Sequence, residues 1–575
     1  MENREIAEMF DEIAQMLSLD SGPTILFQVR AYQKAALTIG TLQENVSEIY
    51  EKRGLEGLME LPGIGKGLAE KIGEYVKTGK MKMYTELKKK YPINFKELTS
   101  IEGLGAKRAV ILYKELGVTN LKELADAVKK HKVKALAGFG EKSEEMILKG
   151  MELKEGSKGR MLLGDALPVA ESIIKKIKES GLADMVMIAG SARRMRETVG
   201  DLDILVLSEK SPEVMKFFKS LPEIASVVVS GPTKTTVMLK LGITCDLRSI
   251  PTESFGAAIQ YFTGSKDHNV QVRTIAVRMG YSLNEYGLSK DGKIIPMKNE
   301  EEIYNKLGMQ WMPAEMREAR GEVKLAQAHK IPKIVELKDI KGDMHSHTLE
   351  TDGANTIDEM AAEAMKIGLE YLATTNHTKS LFIARGMDEK KFAAFYKKVD
   401  ALNEKHEGKF RVIKGAEVDI LKDGTLDLDS KFLKSMECVV ASVHQNLKLD
   451  KEAMTKRVVK ALDSGLVHVL GHPTGRELLK REPFAIDLEK VFEAAERNKV
   501  ALEINSYPER LDLNDTNAMC ASKYKVNFSL GTDAHRTAHL HFMRYGVGVA
   551  RRAWLTPDRI INTLSTEKIL KLLAK

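Results

Sequence analysis

Apolar residues recur at helical spacing through the first 150 residues, with Glu5 to Leu17 and Gln28 to Leu42 as two amphipathic stretches. From about residue 160 the period shortens. Met185 to Ala189, Asp201 to Leu207 and Thr236 to Leu241 are short apolar runs set among helical segments, the pattern of strands. Residues 251–320 read as helix mixed with short strand. Met316 to Lys338 is rich in charge and alanine, holds Pro332, and reads as a linker. Beyond Leu337, apolar runs at Tyr371–Thr374, Phe410–Ile413, Cys438–Ala441, Val467–Leu470, Val500–Ile504 and Asn527–Leu530 alternate with amphipathic helices. That alternation predicts a parallel α/β barrel or sheet.

A chain of 575 residues is too long for one core, and 43% hydrophobic with 30% charged residues suits a globular protein of roughly three to five domains. No apolar run approaches the roughly 18 residues of a membrane span, and the start, Met-Glu-Asn-Arg-Glu-Ile, has no apolar signal core. Cys245, Cys438 and Cys520 lie too far apart for a disulfide framework or a cysteine zinc site, so the cytoplasm is the expected compartment. The net charge of +8 permits a polyanionic partner without demanding one.

Candidate chemistry begins at residues 190–207. Asp201 and Asp203 are two apart at the head of a strand pattern and so share a face. Gly190 and Ser191 end the preceding apolar run, and Arg193 and Arg194 follow. A turn with a hydroxyl, bare N–H groups and guanidinium charge suits a polyphosphate. Asp246 supplies a third carboxylate from a neighbouring strand. Three carboxylates can hold two Mg²⁺ ions about 4 Å apart, with Mn²⁺ able to substitute, one activating a primer 3′-hydroxyl and one bridging a triphosphate.

Three small hairpins punctuate the N-terminal helices: Leu-Pro-Gly63-Ile-Gly65-Lys66, Ile-Glu-Gly103-Leu-Gly105-Ala-Lys and Leu-Ala-Gly138-Phe-Gly140-Glu-Lys. Such turns present bare backbone N–H groups at helix starts, which hold a phosphate without reading a base. They resemble helix-hairpin-helix motifs, and Gly63, Gly65, Lys66, Gly103, Gly105 and Lys34 are the expected DNA contacts. The first copy also resembles the lyase subdomain of DNA polymerase beta, in which a lysine at the place of Lys71 attacks an abasic sugar. The other reading of Lys71 is a solvated lysine that binds phosphate. Gly67 replaces that family's second loop lysine.

The resemblance extends to the family X DNA polymerases over about residues 1–318. Tyr261-Phe262-Thr263-Gly264-Ser265 matches the segment that crowds the 2′ position of the incoming sugar and favours deoxyribose. Asn269 falls where that family contacts the base's minor-groove edge, and Arg273 where it contacts the template side. Asn284-Glu285-Tyr286 matches a further tripeptide, and Ser191 and Arg194 align with triphosphate contacts. Lys266 stands where polymerase beta has an acid, and Thr244 where it has an arginine near the primer end.

Ten of the 13 histidines lie between His345 and His541. His345, His347, Asp352, His377, Glu417, His444, His472, Asp533 and His535 nearly all sit just past an apolar strand. In an α/β barrel such strand ends gather at one face. The nine resemble the ligand set of the PHP (polymerase and histidinol phosphatase) domain, whose members hold up to three metals, zinc or manganese, and hydrolyse phosphoesters. The donor set does not choose among zinc, manganese and iron. Glu417 is the expected bridging ligand, and Arg385 and Arg476 are expected phosphate contacts. His406, His468, His539 and His541 read as structural.

The implied fold is multidomain. An all-α helix-hairpin-helix part spans 1–90 and 91–155, an α+β polymerase beta-like nucleotidyltransferase palm 156–250, and a nucleotide-selecting subdomain 251–318. A linker at 319–336 leads to an α/β PHP domain, a distorted TIM-like barrel, at 337–575. The implied activity is addition of dNTPs to gapped or primer–template DNA during base-excision repair, by a monomer. The PHP site would trim 3′ ends by 3′–5′ exonuclease, abasic-site cleavage or 3′-phosphate removal. Two alternatives stay open: a phosphoesterase that uses the polymerase-like region only as a DNA clamp, and a repair scaffold with a structural metal cluster.

Overall fold

The computed structural model of the chain describes all residues except 1, 20–22, 41, 43, 44, 100, 102, 103, 157, 158 and 575. Two compact units result, Met1–Lys158 and Gly159–Lys575. No helix among the described residues is long and apolar enough to cross a membrane.

The first unit is helical. The two expected amphipathic stretches form helices Glu2–Leu17 and Pro23–Gly40. They meet through Ile6, Phe10 and Ile13 on one side and Tyr32, Ala35 and Ile39 on the other. The rings of Phe10 and Tyr32 pack edge to face at 5.3 Å. Gly65 caps helix Lys66–Thr78 and Gly105 caps helix Ala106–Leu116, neither with a side-chain hydrogen bond, so the first backbone N–H groups stay open. Gly63 takes φ +82° in the first turn, and a Cβ there would strike the Lys34 side chain at 2.8 Å. Gly103 lies outside the described residues.

The second unit begins with a five-stranded sheet in the order Met185–Ile188, Asp201–Leu207, Thr244–Ile250, Lys234–Leu239, Ile224–Ser230. Only Asp201–Leu207 and Thr244–Ile250 run parallel. Alternation sorts the faces. Leu202, Ile204 and Val206 pack beneath helix Leu163–Glu179, while Leu205, on the aspartate face, packs on helix Phe255–Thr263. A three-stranded antiparallel sheet, Ser282–Asn284, Gly287–Lys290 and Lys293–Ile295, follows with its own core around Leu283, Leu288 and Tyr304.

Residues 319–336, which precede the barrel strands within the second unit, are not a loose connection. Helix Glu322–Gln327 buries Val323 and Ala326. Glu322 accepts from the backbone N–H of Ala319 and Arg320 and pairs with His268 at 2.7 Å. The charge-rich composition masked this because the charges are paired and buried: Arg317, fully buried just ahead, forms a two-point bond with Glu300.

The C-terminal part is a seven-stranded parallel sheet in sequence order: Gly342–Asp343, Tyr371–Thr374, Arg411–Asp419, Cys438–Ser442, Val469–Leu470, Ala501–Asn505 and Phe528–Gly531. A parallel bridge between Ser346 and Ala534 links the first strand region to the last, which nearly closes a barrel. The barrel and the five-stranded sheet with its helix share one continuous apolar cluster that includes Leu163, Leu202 and Leu247 on one side and Ile504, Leu511 and Tyr545 on the other. Helix Met543–Arg552 lies at this junction, where a Cβ on Gly548 would strike Met195 at 2.7 Å.

Two candidate metal centres

The parallel register places Asp203 directly opposite Asp246 and Asp201 opposite Thr244. Gly190 takes φ +62°, and a Cβ on it would lie 2.5 Å from Asp203 Oδ2, so the turn glycine makes room for that carboxylate. Burial, then repulsion from Asp201 and Asp246, pushes Asp203 up to about 6. Asp246 is also partly buried, but the Thr236 hydroxyl at 2.6 Å and the cations Lys234 and Arg248, each at 2.9 Å, hold it below the ordinary carboxylate range. Oxygen-only donors with mutual repulsion suit a hard divalent cation such as Mg²⁺ or Mn²⁺.

The nucleotide candidates converge on the same turn. Arg194 donates to the Thr263 carbonyl at 2.5 Å and to Glu318 at 3.0 Å, and Gly264 lies against its guanidinium. Ser191, Arg194, Asp201 and Thr244 line one open cavity of about 560 Å³ together with Arg160, Arg196 and Glu318. Tyr261 and Phe262 pack edge to face at 5.2 Å, and Arg248 stacks on the Phe262 ring. Asn269 donates to the Tyr261 carbonyl at 2.7 Å, and Arg273 lies exposed one helical turn further along Lys266–Arg278. Arg193 is not available to a ligand. It is locked in a two-point bond to Glu300. In the separate N-terminal unit, Lys71 donates to the Gly67 carbonyl at 3.1 Å.

The second centre lies at the carboxyl ends of the barrel strands. Three groups bring metal-ligand atoms within 4.8 Å of one another: His347, Asp352, His377 and His535; His345, His347 and Asp533; His377, Glu417 and His444. Glu417 thus joins one group by its own atoms and meets the others through His345 at 3.4 Å and His347 at 3.6 Å. His472 falls outside the three groups, but its Nε2 lies 2.8 Å from Glu417. Buried atoms His345 Nε2, both ring nitrogens of His347, Asp352 Oδ1, His377 Nδ1 and His472 Nδ1 lack any hydrogen-bond partner. Orphaned donors clustered this way fit bound cations.

Electrostatics carry the same mark. Burial opposes charge on His345, but Glu503, Glu417 and Asp533 outweigh it and hold the ring protonated. His377 is likewise pushed up to about 10, against burial, by Glu417 and Asp352. His347 goes the other way, down to about 4, through burial and its neighbours His535 and His377.

Two expectations need correction. Glu417 does not follow a strand. Strand Arg411–Asp419 runs on through it, because Gly415 allows the Cys438 carbonyl to approach and histidines offset the buried acids. Arg476 is not placed to bind phosphate. It is buried in a two-point bond with palm residue Glu197 and donates to the Arg510 and Leu511 carbonyls. Arg385 is exposed and donates to the Thr351 carbonyl.

Sequence reasoning missed the supporting acids. Glu503 pairs with His345 Nδ1 at 2.7 Å, and Asp419 with His444 Nδ1 at 2.7 Å. Asp343 accepts from the Thr532 and His345 N–H groups. The signal was present: Glu503 and Asn505 interrupt an apolar strand two residues apart, and Asp419 shares the face of Glu417. In the palm, Lys234 escapes a linear reading in the same way, as an ordinary strand-end lysine.

Sequence models match four stretches of the chain: a helix-hairpin-helix domain over residues 1–81, a SAM-like helix-hairpin-helix tandem over 95–155, the DNA polymerase beta thumb over 258–318 and a PHP domain over 343–507. The chain is 36% identical over 573 residues to the DNA polymerase/3′-5′ exonuclease PolX of Bacillus subtilis (strain 168), a match that covers 99% of each. It is also 31% identical over 232 residues to a probable phosphatase of Thermoanaerobacter sp. (strain X514), which covers 38% of this chain and 89% of that one. A probable phosphatase of Syntrophotalea carbinolica is 28% identical over 235 residues.

Proposed function

The chain belongs to the family X DNA polymerases that carry a C-terminal PHP domain, and from that premise we propose that it is a DNA-directed DNA polymerase with a 3′–5′ exonuclease in the same chain. The register that sets Asp203 opposite Asp246 carries the polymerase half. Asp201, Asp203 and Asp246 would hold two Mg²⁺ ions, which supply positive charge for the primer 3′-hydroxyl and the triphosphate. Gly190, Ser191 and Arg194 bind the triphosphate of the dNTP. Tyr261, Phe262 and Gly264 pack on its sugar. Asn269 fixes that segment through the Tyr261 carbonyl, and Arg273 faces the template. Lys234 and Arg248 balance Asp246 until the metals arrive.

In the N-terminal unit, Gly63, Gly65, Lys66, Gly105 and Lys34 hold DNA backbone phosphates, with Gly103 as their counterpart in the second hairpin. Lys71 joins them as a phosphate contact. Borohydride trapping on a 5′-deoxyribose phosphate that marks the wild type but not Lys71→Ala would make it a lyase nucleophile instead.

The nine barrel residues would hold zinc or manganese, up to three ions, whose charge activates water and binds phosphate oxygens. Glu503 and Asp419 fix the tautomers and orientations of His345 and His444. The setting is gap filling in base-excision repair in the cytoplasm, by a monomer, with 3′ ends trimmed at the barrel.

One gapped-DNA assay of wild type, Asp203→Ala and His345→Ala, with Mg²⁺ and with Mn²⁺, tests this. Asp203→Ala is expected to lose dNTP addition and keep 3′ trimming, and His345→Ala the reverse. Loss of both, or of neither, speaks against two separate sites. The engagement of Asp246 by two cations favours a second reading, a phosphoesterase with a polymerase-like clamp. That reading requires the wild type to extend no primer.

A further inference from the structure

The segment after barrel strand Tyr371–Thr374 carries two large apolar side chains into solvent. Phe382 is 88% exposed and Ile383 93%, the highest values for large apolar residues among those described. Both lie in the short turn Phe382–Ala384. The turn is not a slack tip. Thr378 bridges Met387, the Gly386 N–H donates to the Leu381 carbonyl at 3.2 Å, and a Cβ on Gly386 would collide with the Thr378 carbonyl. Gln445 donates to the Ser380 carbonyl at 2.9 Å, and Asp427 accepts from the Ser380 N–H at 2.9 Å.

The base of this turn is the nine-ligand centre itself. His377 precedes it. The Ser380 hydroxyl donates to Asp419, the acid that pairs with His444. Arg385, at the other end, donates to the carbonyl of Thr351, the neighbour of Asp352. A pinned loop therefore holds an aromatic ring and a branched aliphatic chain at the rim of the centre, flanked by Arg385 and by Lys379, which also pairs with Glu389 at 2.9 Å.

We propose that Phe382 and Ile383 form a platform on which the 3′-terminal bases of single-stranded DNA stack while the terminal phosphodiester lies among the nine ligands. The proposal rests on the exonuclease reading of that centre. A nucleobase offers a flat π-face, whatever its identity, next to a phosphate. The apolar pair matches the face, and the exposed Arg385 matches the backbone. Two side chains are too small a patch for a stable protein interface. A base held there leaves its duplex partner, so the platform would favour frayed or mispaired ends over paired ones.

The test uses the full-length protein with Mn²⁺ on two substrates: a single-stranded oligodeoxynucleotide, and bis(p-nitrophenyl) phosphate, which has no base. Phe382→Ala/Ile383→Ala is expected to lower kcat/KM on the oligonucleotide about tenfold, mainly through KM, and to leave the small diester within about twofold. Phe382→Trp is expected to restore or improve oligonucleotide cleavage. Replacement of the 3′-terminal bases by abasic residues should erase the difference between wild type and double variant. If the wild type degrades DNA and the double variant matches it, the platform is overturned while the exonuclease reading stands. Equal losses on both substrates would also overturn it, because the pair would then act on the centre. So would a fall in molecular mass by light scattering, which would make the occupant a second copy. A wild type inactive on both substrates removes the exonuclease reading and the platform with it.

Discussion

Arg552 of the barrel donates to Glu318 Oε1 at 2.8 Å, and the same carboxylate accepts from Arg194 of the Gly190–Arg194 turn, the candidate triphosphate site, at 3.0 Å. Arg552 also donates to the backbone carbonyl of Arg194 at 2.8 Å, and to Asp515 at 2.7 Å. A triphosphate that recruits Arg194 must therefore compete with Glu318, and Arg552 is the residue that can keep Glu318 when it is released. Glu318→Gln is expected to lower KM for dNTPs about threefold to tenfold with kcat little changed. Arg552→Gln is expected to raise KM by a similar factor. Steady-state gap filling measures both.

Gly190→Ala should be far more damaging than its size suggests. The substitution places a methyl 2.5 Å from Asp203 Oδ2 and imposes φ +62° on alanine. The backbone term costs about 1 kcal/mol, and displacement of Asp203 is expected to reduce dNTP addition by about 100-fold or more. Retention of 3′ trimming in the same preparation would separate this from unfolding.

Acid should switch off polymerisation at low Mg²⁺. Burial, then Asp201 and Asp246, raises Asp203 to about 6, so its proton is retained below that pH and must leave for a cation to bind. At subsaturating Mg²⁺, dNTP addition is expected to fall as pH drops through about 6. Higher Mg²⁺ should move that fall to lower pH. A fall that ignores Mg²⁺ concentration would assign it to another group.

Metal loading of the barrel should release protons. His345 and His377 are held protonated against burial by Glu503, Glu417, Asp533 and Asp352, and a protonated ring nitrogen cannot ligate. Calorimetric titration of Mn²⁺ or Zn²⁺ into chelator-stripped protein, in buffers of different ionisation enthalpy, is expected to show net proton release near about pH 7 and affinity that rises with pH. Ions at 100 times Kd would add about 2.7 kcal/mol of stability, visible as a higher Tm that chelator reverses.

Glu197→Gln should cost about 1.5–3 kcal/mol, because the buried Arg476 guanidinium loses a charge-assisted bond while Glu197 itself is partly exposed. Urea unfolding measures this. KM of the exonuclease for DNA should stay unchanged, in contrast to a phosphate-binding Arg476.

Much of both candidate centres was legible because chemistry and period coincide. Asp201 and Asp203 announce themselves by a two-residue spacing at the head of an apolar run, and most of the barrel ligands by their place after one. What escaped was paired charge. Glu503, Asp419 and Asp343 are buried acids whose partners come from other strands, and a linear reading sees only a polar break in a strand. Residues 319–336 misled in the same way, since Glu322 with His268 forms a buried contact only after folding. Arg476 looked free because Glu197 is 279 residues away in sequence.

Gly548 sets a last consequence. With no side chain there, helix Met543–Arg552 seats against Met195, one residue beyond Arg194. A barrel transplanted from another relative would carry its own helix surface to that notch, and a single added methyl would press on the nucleotide turn. Builder and trimmer are thus poor candidates for exchange as cassettes: recombination between homologues at the 319–336 junction should yield chimaeras that fold poorly unless both halves of this contact travel together.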